Sequence, residues 1–553
     1  MKISLGIHVG HDRGASLVKD GLVVGAISQE RLDRIKYSSS TNIPWDSIDA
    51  LLRYCGISIH NISSIGISYD GVEGQSVLDL YREEFMDHYG CVDIPMYFVN
   101  HHEAHAYAAY HSSGFNDSLI IVADGAGDYI DSKQEAESLF VGNAGKIKCI
   151  DRRLQEPLKR IDEPRHHILP YMPSFIKESE ISVGRKYEQI TYLLGLGRGA
   201  SGKTMGLASY GKPLMDFDVY RKSDLFRFSL KYKDILEQIS VNMALSGKSY
   251  KQYVNDEKAN IASTVQALTE HILLGLVRDI LCLYPSKNIC LAGGVFLNCL
   301  LNHKIIERFD LEKLFILPPA GDDGQAIGAS FFAYNKHFGN NEKFTVHLPY
   351  IGLSYEDDEV ENVLKGANLK YHIFNDDDLA DEIAKRISEN KIVAIHRGRT
   401  EIGPRALCHR SILANPTNPE MKDILNKRVK HREPFRPFAP TVISDEQFVY
   451  FDLKLESDFM LMATMVKEEY RDHLPAITHV DNTARVQAVS VQSEPFIHKM
   501  LLAVKRYIGF PVVLNTSFNV NSEPIVETPL DAVQTFLKTD IDTLVVSNFL
   551  VDK

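Results

Sequence analysis

Ser118-Leu-Ile-Ile-Val-Ala-Asp-Gly-Ala-Gly-Asp128 is an apolar run that ends on two acidic residues spaced by glycines. The run Ser118–Ala123 predicts a short buried strand, and Asp124–Asp128 predicts a turn at its C-terminal end. A hairpin through Ser138–Val141 and Lys146–Asp151 follows. Working outward, the same order occurs at the start of the chain. Lys2–Gly10 predicts a strand ending at Gly10-His11-Asp12, Ala15–Lys19 and Leu22–Ser28 predict two more strands turned at Asp20-Gly21, and Gln29–Lys36 predicts a helix. Two related lobes facing each other across a cleft are expected, with the turn after each first strand pointing into it.

This repeated opening is similar to that of the actin-like sugar-kinase and chaperone ATPase fold. Between the repeats lies Asn100-His-His-Glu-Ala-His-Ala106. His101 and His105 are four apart, and on a helix that spacing stacks two imidazoles on one face. A pair of hydrogen-bonded structural histidines is the alternative, and carboxylates nearby weigh against it. Leu314–Leu317 predicts a second buried strand, leading through Pro318–Gly321 to Asp322-Asp323-Gly324 and a small-residue helix, Gln325–Phe332. Acidic residues at strand C-termini sit where α/β folds bind ligands, so Asp124 and Asp322 are candidates to complete a two-histidine, two-carboxylate shell for a divalent ion.

With 553 residues the chain exceeds one core, and two domains, 1–350 and 351–553, are expected, the boundary falling near Leu348–Ser354 after a polar stretch at Asn335–Lys343. A net charge of −12 argues against non-specific nucleic-acid binding. The seven cysteines, Cys55, Cys91, Cys149, Cys282, Cys290, Cys299 and Cys408, are scattered and odd in number, which suits reduced thiols in a cytoplasm. Ile272–Tyr284, the longest apolar helix candidate, is broken by Arg278-Asp279 and is too short to span a bilayer.

Two glycine-rich stretches invite nucleotide readings. Gly197–Thr204 spells G-x-x-x-x-G-K-T, but Thr191–Leu194 before it makes a poor strand, so a cleft-lining loop bearing Lys203 is favoured over a phosphate loop. Asn288–Ala292 leads to Gly293-Gly294 and a helix carrying Asn298, an element suited to close backbone approach to an adenosine. In the second half, Asp376–Glu389 predicts a helix and Lys391–Ile395 a strand. The densest cationic segment follows, from His396 through Arg405 to Lys430 and Arg436. A solvated basic face is the plain reading. Arg405 and Arg436, however, are hemmed by Pro, Gly and Phe, and guanidinium groups on such rigid turns suit bidentate recognition of phosphate. Arg485 adds another cation. Pro511–Leu514 predicts a strand delivering Asn515-Thr-Ser517-Phe-Asn519, a polar loop suited to holding oxygens.

Taken in order, H-H-E-A-H-A, D-G-A-G-D, A-G-G-V-F-L-N, G-D-D-G-Q-A-I-G, G-P-R-A-L, R-S-I-L-A, K-H-R-E-P-F-R-P-F-A-P, T-A-R-V-Q and L-N-T-S-F-N resemble the O-carbamoyltransferases of nodulation-factor and antibiotic biosynthesis. One departure is Cys408-His409, where that family usually has Gly-Asn before the arginine. The resemblance implies an N-terminal actin-like, metal-dependent carbamoyl-transfer domain and a C-terminal α/β domain that makes a carbamoyl adenylate from carbamoyl phosphate and ATP. It implies His101, His105, Asp124 and Asp322 as ligands of a metal, iron in the best-described relatives, with zinc, manganese or magnesium as alternatives. It implies Arg405, Lys430, Arg436, Arg485, Asn515 and Ser517 as the carbamoyl-phosphate and adenylation pocket. Gly125, Gly127, Lys203, Gly293, Gly294 and Asn298 are the expected nucleotide contacts, and His11, with Asp128 as the alternative base, and Lys430 the expected catalytic groups. The expected acceptor is a hydroxyl of a small natural product or sugar. Carbamoylation of a tRNA or protein group is the alternative; an actin-like ATPase switch does not explain the cationic segment, and the intact metal set argues against a sugar-binding regulator. A homodimer is compatible with all of this; nucleic acid and membrane partners are not expected.

Overall fold

A computed structural model describes residues 1–69, 74–90, 93–155, 182–197, 199–216, 219–221, 228–230, 233–339 and 349–553. Cys91, Arg198 of the glycine-rich string, residues 340–343 of the polar stretch and Leu348 of the expected boundary lie outside the described residues.

The first sheet contains β1 (Ile3–Val9), β2 (Gly14–Lys19), β3 (Leu22–Ser28), β4 (Ser64–Tyr69) and β5 (Met96–Phe98), in the order β3-β2-β1-β4-β5. β1–β2 and β2–β3 are antiparallel; β1–β4 and β4–β5 are parallel. The second sheet contains β6 (Asp117–Ala123), β7 (Tyr129–Ile130), β8 (Lys133–Asn143), β9 (Lys146–Gln155), β10 (Asn288–Ala292) and β11 (Lys313–Ile316). Leaving aside the short β7 at the edge, its order β9-β8-β6-β10-β11 and its antiparallel and parallel pairings repeat those of the first sheet. Two copies of one strand plan are therefore present, and this is the actin-like duplication expected from the sequence.

Glycine and alanine set how closely the lobes approach. The helix Gln325–Phe338 lies across β1 and β4, where a side chain at Gly6 or Gly66 would run into the Ala326 or Ala329 carbonyl. At Gly328 the same helix meets the helix His101–Ser113, and a Cβ there would strike the Ala104 carbonyl. This close crossing places the turn before Gln325 beside His101 and His105. A longer side chain at Gly328 would separate the elements that carry them.

The C-terminal half forms one mixed sheet: β12 (His372–Ile373), β13 (Val393–His396), β14 (Arg410–Ala414), β15 (Ala439–Ile443), β16 (Gln487–Val489), β17 (Val512–Ser517), β18 (Thr543–Val546) and β19 (Phe549–Asp552), ordered β12-β19-β18-β13-β14-β17-β15-β16. Helices Asp376–Ser388 and Pro495–Ile508 pack on one face through Leu379, Ile383, Ile497 and Leu501.

Several expected elements differ in extent. Gln29–Lys36 is helical only over Glu30–Asp33, because Arg34 turns left-handed at φ 60° and caps the turn. Thr191–Leu194 falls at the end of the helix Val183–Leu193, so no strand precedes the glycine-rich string. Ile272–Tyr284 is the end of a 26-residue helix, Lys258–Leu283, and among the described residues no helix is long and apolar enough to cross a membrane.

Candidate active site: a histidine–aspartate cluster beside a cationic pocket

Asn100 starts the helix His101–Ser113 by accepting the Glu103 N–H at 3.2 Å, and the histidine pair then follows from helical spacing. His101 and His105 are buried, at 1% exposure each. Their Nε2 atoms lie 3.3 and 3.0 Å from Asp124 Oδ2 and 3.3 Å each from Asp322 Oδ1. One atom from each of the four residues falls within 4.8 Å of all the others. Asp124 stands at the end of β6 and Asp322 just past β11, so both carboxylates come from strand C-termini. Burial and the neighbouring Asp322 push Asp124 up, yet hydrogen bonds from the two imidazoles outweigh them and hold it at about 2. Two part-buried carboxylates this close need positive charge between them. Two imidazole nitrogens and two carboxylate oxygens converging on one point are the donor set of a divalent first-row metal.

His102, the middle histidine, faces away and hydrogen-bonds Ser138 Oγ at 2.7 Å; burial drives it down to about 4, so it stays neutral. Asp128 differs from its expected part as a base. It is buried, and its Oδ2 accepts the His101 backbone N–H at 2.8 Å and the Asn100 amide at 3.1 Å. The carboxylate is thus engaged in fixing the start of the ligand-bearing helix. His8, which the sequence reading passed over, lies beside the cluster with its ring 6.4 Å from that of His101. It contacts Ser68 Oγ and the His11 carbonyl, both at 2.9 Å, and so fixes the turn carrying His11. An inward-facing polar residue at the C-terminal end of an otherwise apolar strand was its signal.

His11 contacts Asp12 at 2.9 Å and stacks on Tyr37, ring centroids 5.9 Å apart. Tyr37 joins the two halves of the site. Burial first, then Asp12 and Glu30, raise it to about 12, while Arg405 and Arg436 on its other side pull it down. Beyond it lies the cationic pocket. Lys430 is 2% exposed, and its Nζ is gripped by Ser517 and by both oxygens of Asn519 at 3.0 Å. Burial and then Arg432, Arg436 and Lys36 hold Lys430 well below an ordinary lysine. Arg405 is lowered to about 9 by burial and then by Arg485, and Arg432 to about 9 by burial and then by Arg436 and Arg485. Guanidinium keeps its proton in proteins, so these shifts express burial first and crowding among cations second, a cost that a bound polyanion would relieve. Glu433 offsets part of the charge, pairing with Lys203 at 2.9 Å and lying 3.8 Å from Arg436. Lys36, Arg432 and Asn519 are pocket residues that the sequence reading did not select.

The remaining expected contacts divide. Gly125 faces open space, as a ligand-approaching turn requires, whereas Gly127 packs on Glu135 and His102. Gly293, at φ 95°, and Gly294 lie against the Ala123 carbonyl and the Asp124 carboxylate, and this close approach requires their smallness. Asn298 caps the helix Cys299–Arg308 and exchanges hydrogen bonds with Gln266 at 2.9 and 3.1 Å, which leaves it no reach to a nucleotide. Thr204, the would-be magnesium-binding hydroxyl of a phosphate loop, is buried against Thr191 at 2.7 Å, so that reading fails. Asn515 is buried, with its amide donating to Thr441 and Gln487 and its Oδ1 accepting no hydrogen bond among the described protein atoms. Ser517 faces the pocket through Lys430.

Known families match this arrangement. Residues 77–331 match the carbamoyltransferase N-terminus model and residues 384–553 the carbamoyltransferase C-terminus model. Nodulation protein NolNO of Sinorhizobium fredii is 32% identical over 98% of this chain and 79% of its own length. Nodulation protein NolO of Bradyrhizobium diazoefficiens is 32% identical over 82% and 79%. Among solved structures, full-length HypF in its phosphate- and nucleotide-bound form overlaps 60% of this chain and 55% of its own at 15% identity, with a TM-score of 0.42. The duplicated fold rests on the strand orders, not on that overlap. With both halves matched in order and near-full-length relatives above 30% identity, this chain belongs to the carbamoyltransferase family.

Proposed function

We propose that the chain is an ATP-dependent O-carbamoyltransferase that forms carbamoyl adenylate from carbamoyl phosphate and delivers the carbamoyl group to a hydroxyl of a small molecule. The observation that carries this reading is the adjacency of a cation-crowded pocket and a His₂Asp₂ cluster, joined through Tyr37 and His11. In the pocket, water releases phosphate from carbamoyl phosphate. The resulting carbamate oxygen attacks the α-phosphorus of ATP, and pyrophosphate leaves. Lys430, Arg405, Arg432, Arg436 and Arg485 neutralise the phosphoryl oxygens where charge accumulates. Lys430, Ser517 and Asn519 form a fixed set, so little reorganisation accompanies the step. The acceptor hydroxyl then attacks the carbamoyl carbon and AMP departs. His11 takes the hydroxyl proton, with Asp12 holding its ring.

His101, His105, Asp124 and Asp322 would hold a divalent metal, iron in this proposal, which when bound supplies a Lewis acid and an anchor for the adenylate's phosphate. Glu30, Asp12 and Asp323 line the same region and suit a neutral polyol or an amine-bearing acceptor better than an anion. The relatives' description as nodulation proteins supports a small-molecule acceptor. Free thiols among the described cysteines fit a reducing cytoplasm. The test is carbamoyl-phosphate-dependent ATP–pyrophosphate exchange, followed by mass spectrometry of hydroxylated metabolites for one added carbamoyl group. Exchange that ignores carbamoyl phosphate would refute the adenylate.

A further inference from the structure

The turn Glu30–Asp33 is only four residues long, yet two arginines at it enter the C-terminal half of the molecule. Arg31 is 4% exposed and donates its NH2 to the Gly403 carbonyl at 3.0 Å. Arg34 donates to the Ile525 and Pro524 carbonyls at 2.6 and 3.0 Å and lies 3.7 Å from the Asp531 carboxylate. Both sets of acceptors belong to loops that carry the cationic pocket. Gly403 stands two residues before Arg405, and its φ of 102° together with the Pro318 carbonyl against it leaves no room for a side chain. Pro524 and Ile525 follow Glu523, whose carbonyl accepts the Asn519 amide at 2.7 Å, and Asn519 holds Lys430.

A buried charge set surrounds Arg31. Glu401 accepts the Leu407 and Arg410 backbone N–H groups at 2.7 and 3.1 Å, closing the turn that contains Arg405. Glu527 accepts the Thr400 hydroxyl at 2.6 Å; burial raises it overall, against the pull of Arg410 and then Arg31. Arg31 NH1, Glu401 Oε2 and Glu527 Oε2 are buried with no hydrogen-bond partner among the described protein atoms. Buried charged atoms of both signs, left unpaired together, mark a junction whose stability depends on the parts staying docked. From the same turn the chain runs on to Tyr37, whose N–H donates to Glu30 at 2.9 Å and whose ring stacks on His11. Eight residues thus touch His11 at one end and two pocket loops at the other.

We propose that residues 30–37 are the coupling element between the two half-sites, and that Arg31 and Arg34 are positioning residues. They hold the Gly403–Arg405 turn and the Asn519–Glu527 loop closed, so that the adenylate is retained until an acceptor arrives. This rests on the two-step reaction proposed above. The adenylate bond between the carbamoyl oxygen and the α-phosphorus has two fates without an acceptor: attack by pyrophosphate, which regenerates ATP and carbamate, or hydrolysis by water, which releases AMP. A closed site favours the first and an opened site the second.

The experiment incubates wild type, Arg31→Gln, Arg34→Ala and Arg34→Lys with ATP, carbamoyl phosphate and labelled pyrophosphate, without acceptor, and measures both exchange and AMP release. Arg31 is buried and its loss tests folding as well, while the partly exposed Arg34 keeps the test open if the Arg31 variant does not fold. Losing charge-assisted hydrogen bonds to backbone carbonyls should raise AMP released per exchange cycle about tenfold in Arg31→Gln and Arg34→Ala. Arg34→Lys keeps a cation for the same carbonyls and should restore the wild-type ratio. A wild-type ratio in folded Arg34→Ala, with normal wild-type exchange, overturns the inference alone. Absence of exchange in wild type overturns the two-step reading and this inference with it.

Discussion

Asp322→Asn is the perturbation whose outcome reaches furthest, because the same substitution should stabilise the metal-free protein at alkaline pH and blunt its response to metal. Asp124 and Asp322 place carboxylate oxygens within 4.8 Å of one another. At that separation and an effective dielectric near 20, two full negative charges repel by about 3 kcal/mol. Below neutral pH the histidines offset this. Although burial pushes His105 down, hydrogen bonds to Asp124 and Asp322 raise it overall. A raised histidine contributes stability that is fully present below its unfolded value and is lost as pH rises through its folded value. At alkaline pH, past that raised value, the chelator-treated wild type therefore keeps the carboxylate repulsion uncompensated. Asp322→Asn removes it and should melt higher under those conditions. Metal reverses the order. At a free concentration 100 times the wild-type dissociation constant, binding stabilises the folded state by about 2.7 kcal/mol, whereas a variant bound about 100-fold more weakly gains only about 0.4 kcal/mol. Thermal unfolding of stripped and iron- or zinc-loaded protein, with metal content measured in parallel, reads both effects. Equal stabilisation of wild type and Asp322→Asn by metal would refute the ligand assignment.

Arg436→Ala removes a cation from the crowded pocket and should lower exchange by about two orders of magnitude, the worth of one charge-assisted phosphate contact, as read by labelled pyrophosphate. His101→Ala, in the other half-site, should abolish transfer while exchange survives; loss of both activities in a folded variant would show that the half-sites are not separable. Asp128→Ala leaves the His101 N–H without its acceptor and the Asn100 amide with Glu135 alone, and should weaken metal binding about 10- to 100-fold, measured by competition with a chelator. Thr204→Val should cost about 1–2 kcal/mol of stability and leave the KM for ATP unchanged, since the hydroxyl bonds Thr191 rather than a nucleotide-bound ion; a large rise in KM would restore the phosphate-loop reading.

Much of the fold was legible because it rests on local pattern. Apolar runs bounded by acidic or glycine turns marked β1, β6 and β11, and the recurrence of one strand order is visible as a recurrence of strand, turn and hairpin. Where the sequence reading erred, a single backbone conformation or a distant partner decided. Gln29–Lys36 has helical composition throughout, but Arg34 adopts φ 60° and so presents its guanidinium to the Pro524 and Ile525 carbonyls. Nothing local to Arg34 announces carbonyls some 490 positions away. Gly197–Thr204 spells a nucleotide motif, yet the preceding helix Val183–Leu193 buries Thr191 where it takes the Thr204 hydroxyl.

The candidate site divides on the same line. His101 and His105 are one helical turn apart, Asp124 follows the end of one strand and Asp322 the loop after another, so periodicity and strand polarity suffice to suggest their convergence. The cationic pocket is different in kind. Arg405, Lys430 with Arg436, and Arg485 lie on three separate segments of the C-terminal half, while Lys36 and Lys203 reach it from the N-terminal lobe. A cation's membership there is set by which like charges crowd it, and that depends on how the lobes dock rather than on its neighbours in sequence. Asn298 shows the converse: it sits in a motif-like stretch, and both its amide nitrogen and its oxygen are engaged by hydrogen bonds that hold the framework. An amide or a glycine in such a stretch is equally suited to ligand contact and to close packing. Only the partner that arrives through tertiary structure, Gln266 for Asn298 and the Asp124 turn for Gly294, selects between them.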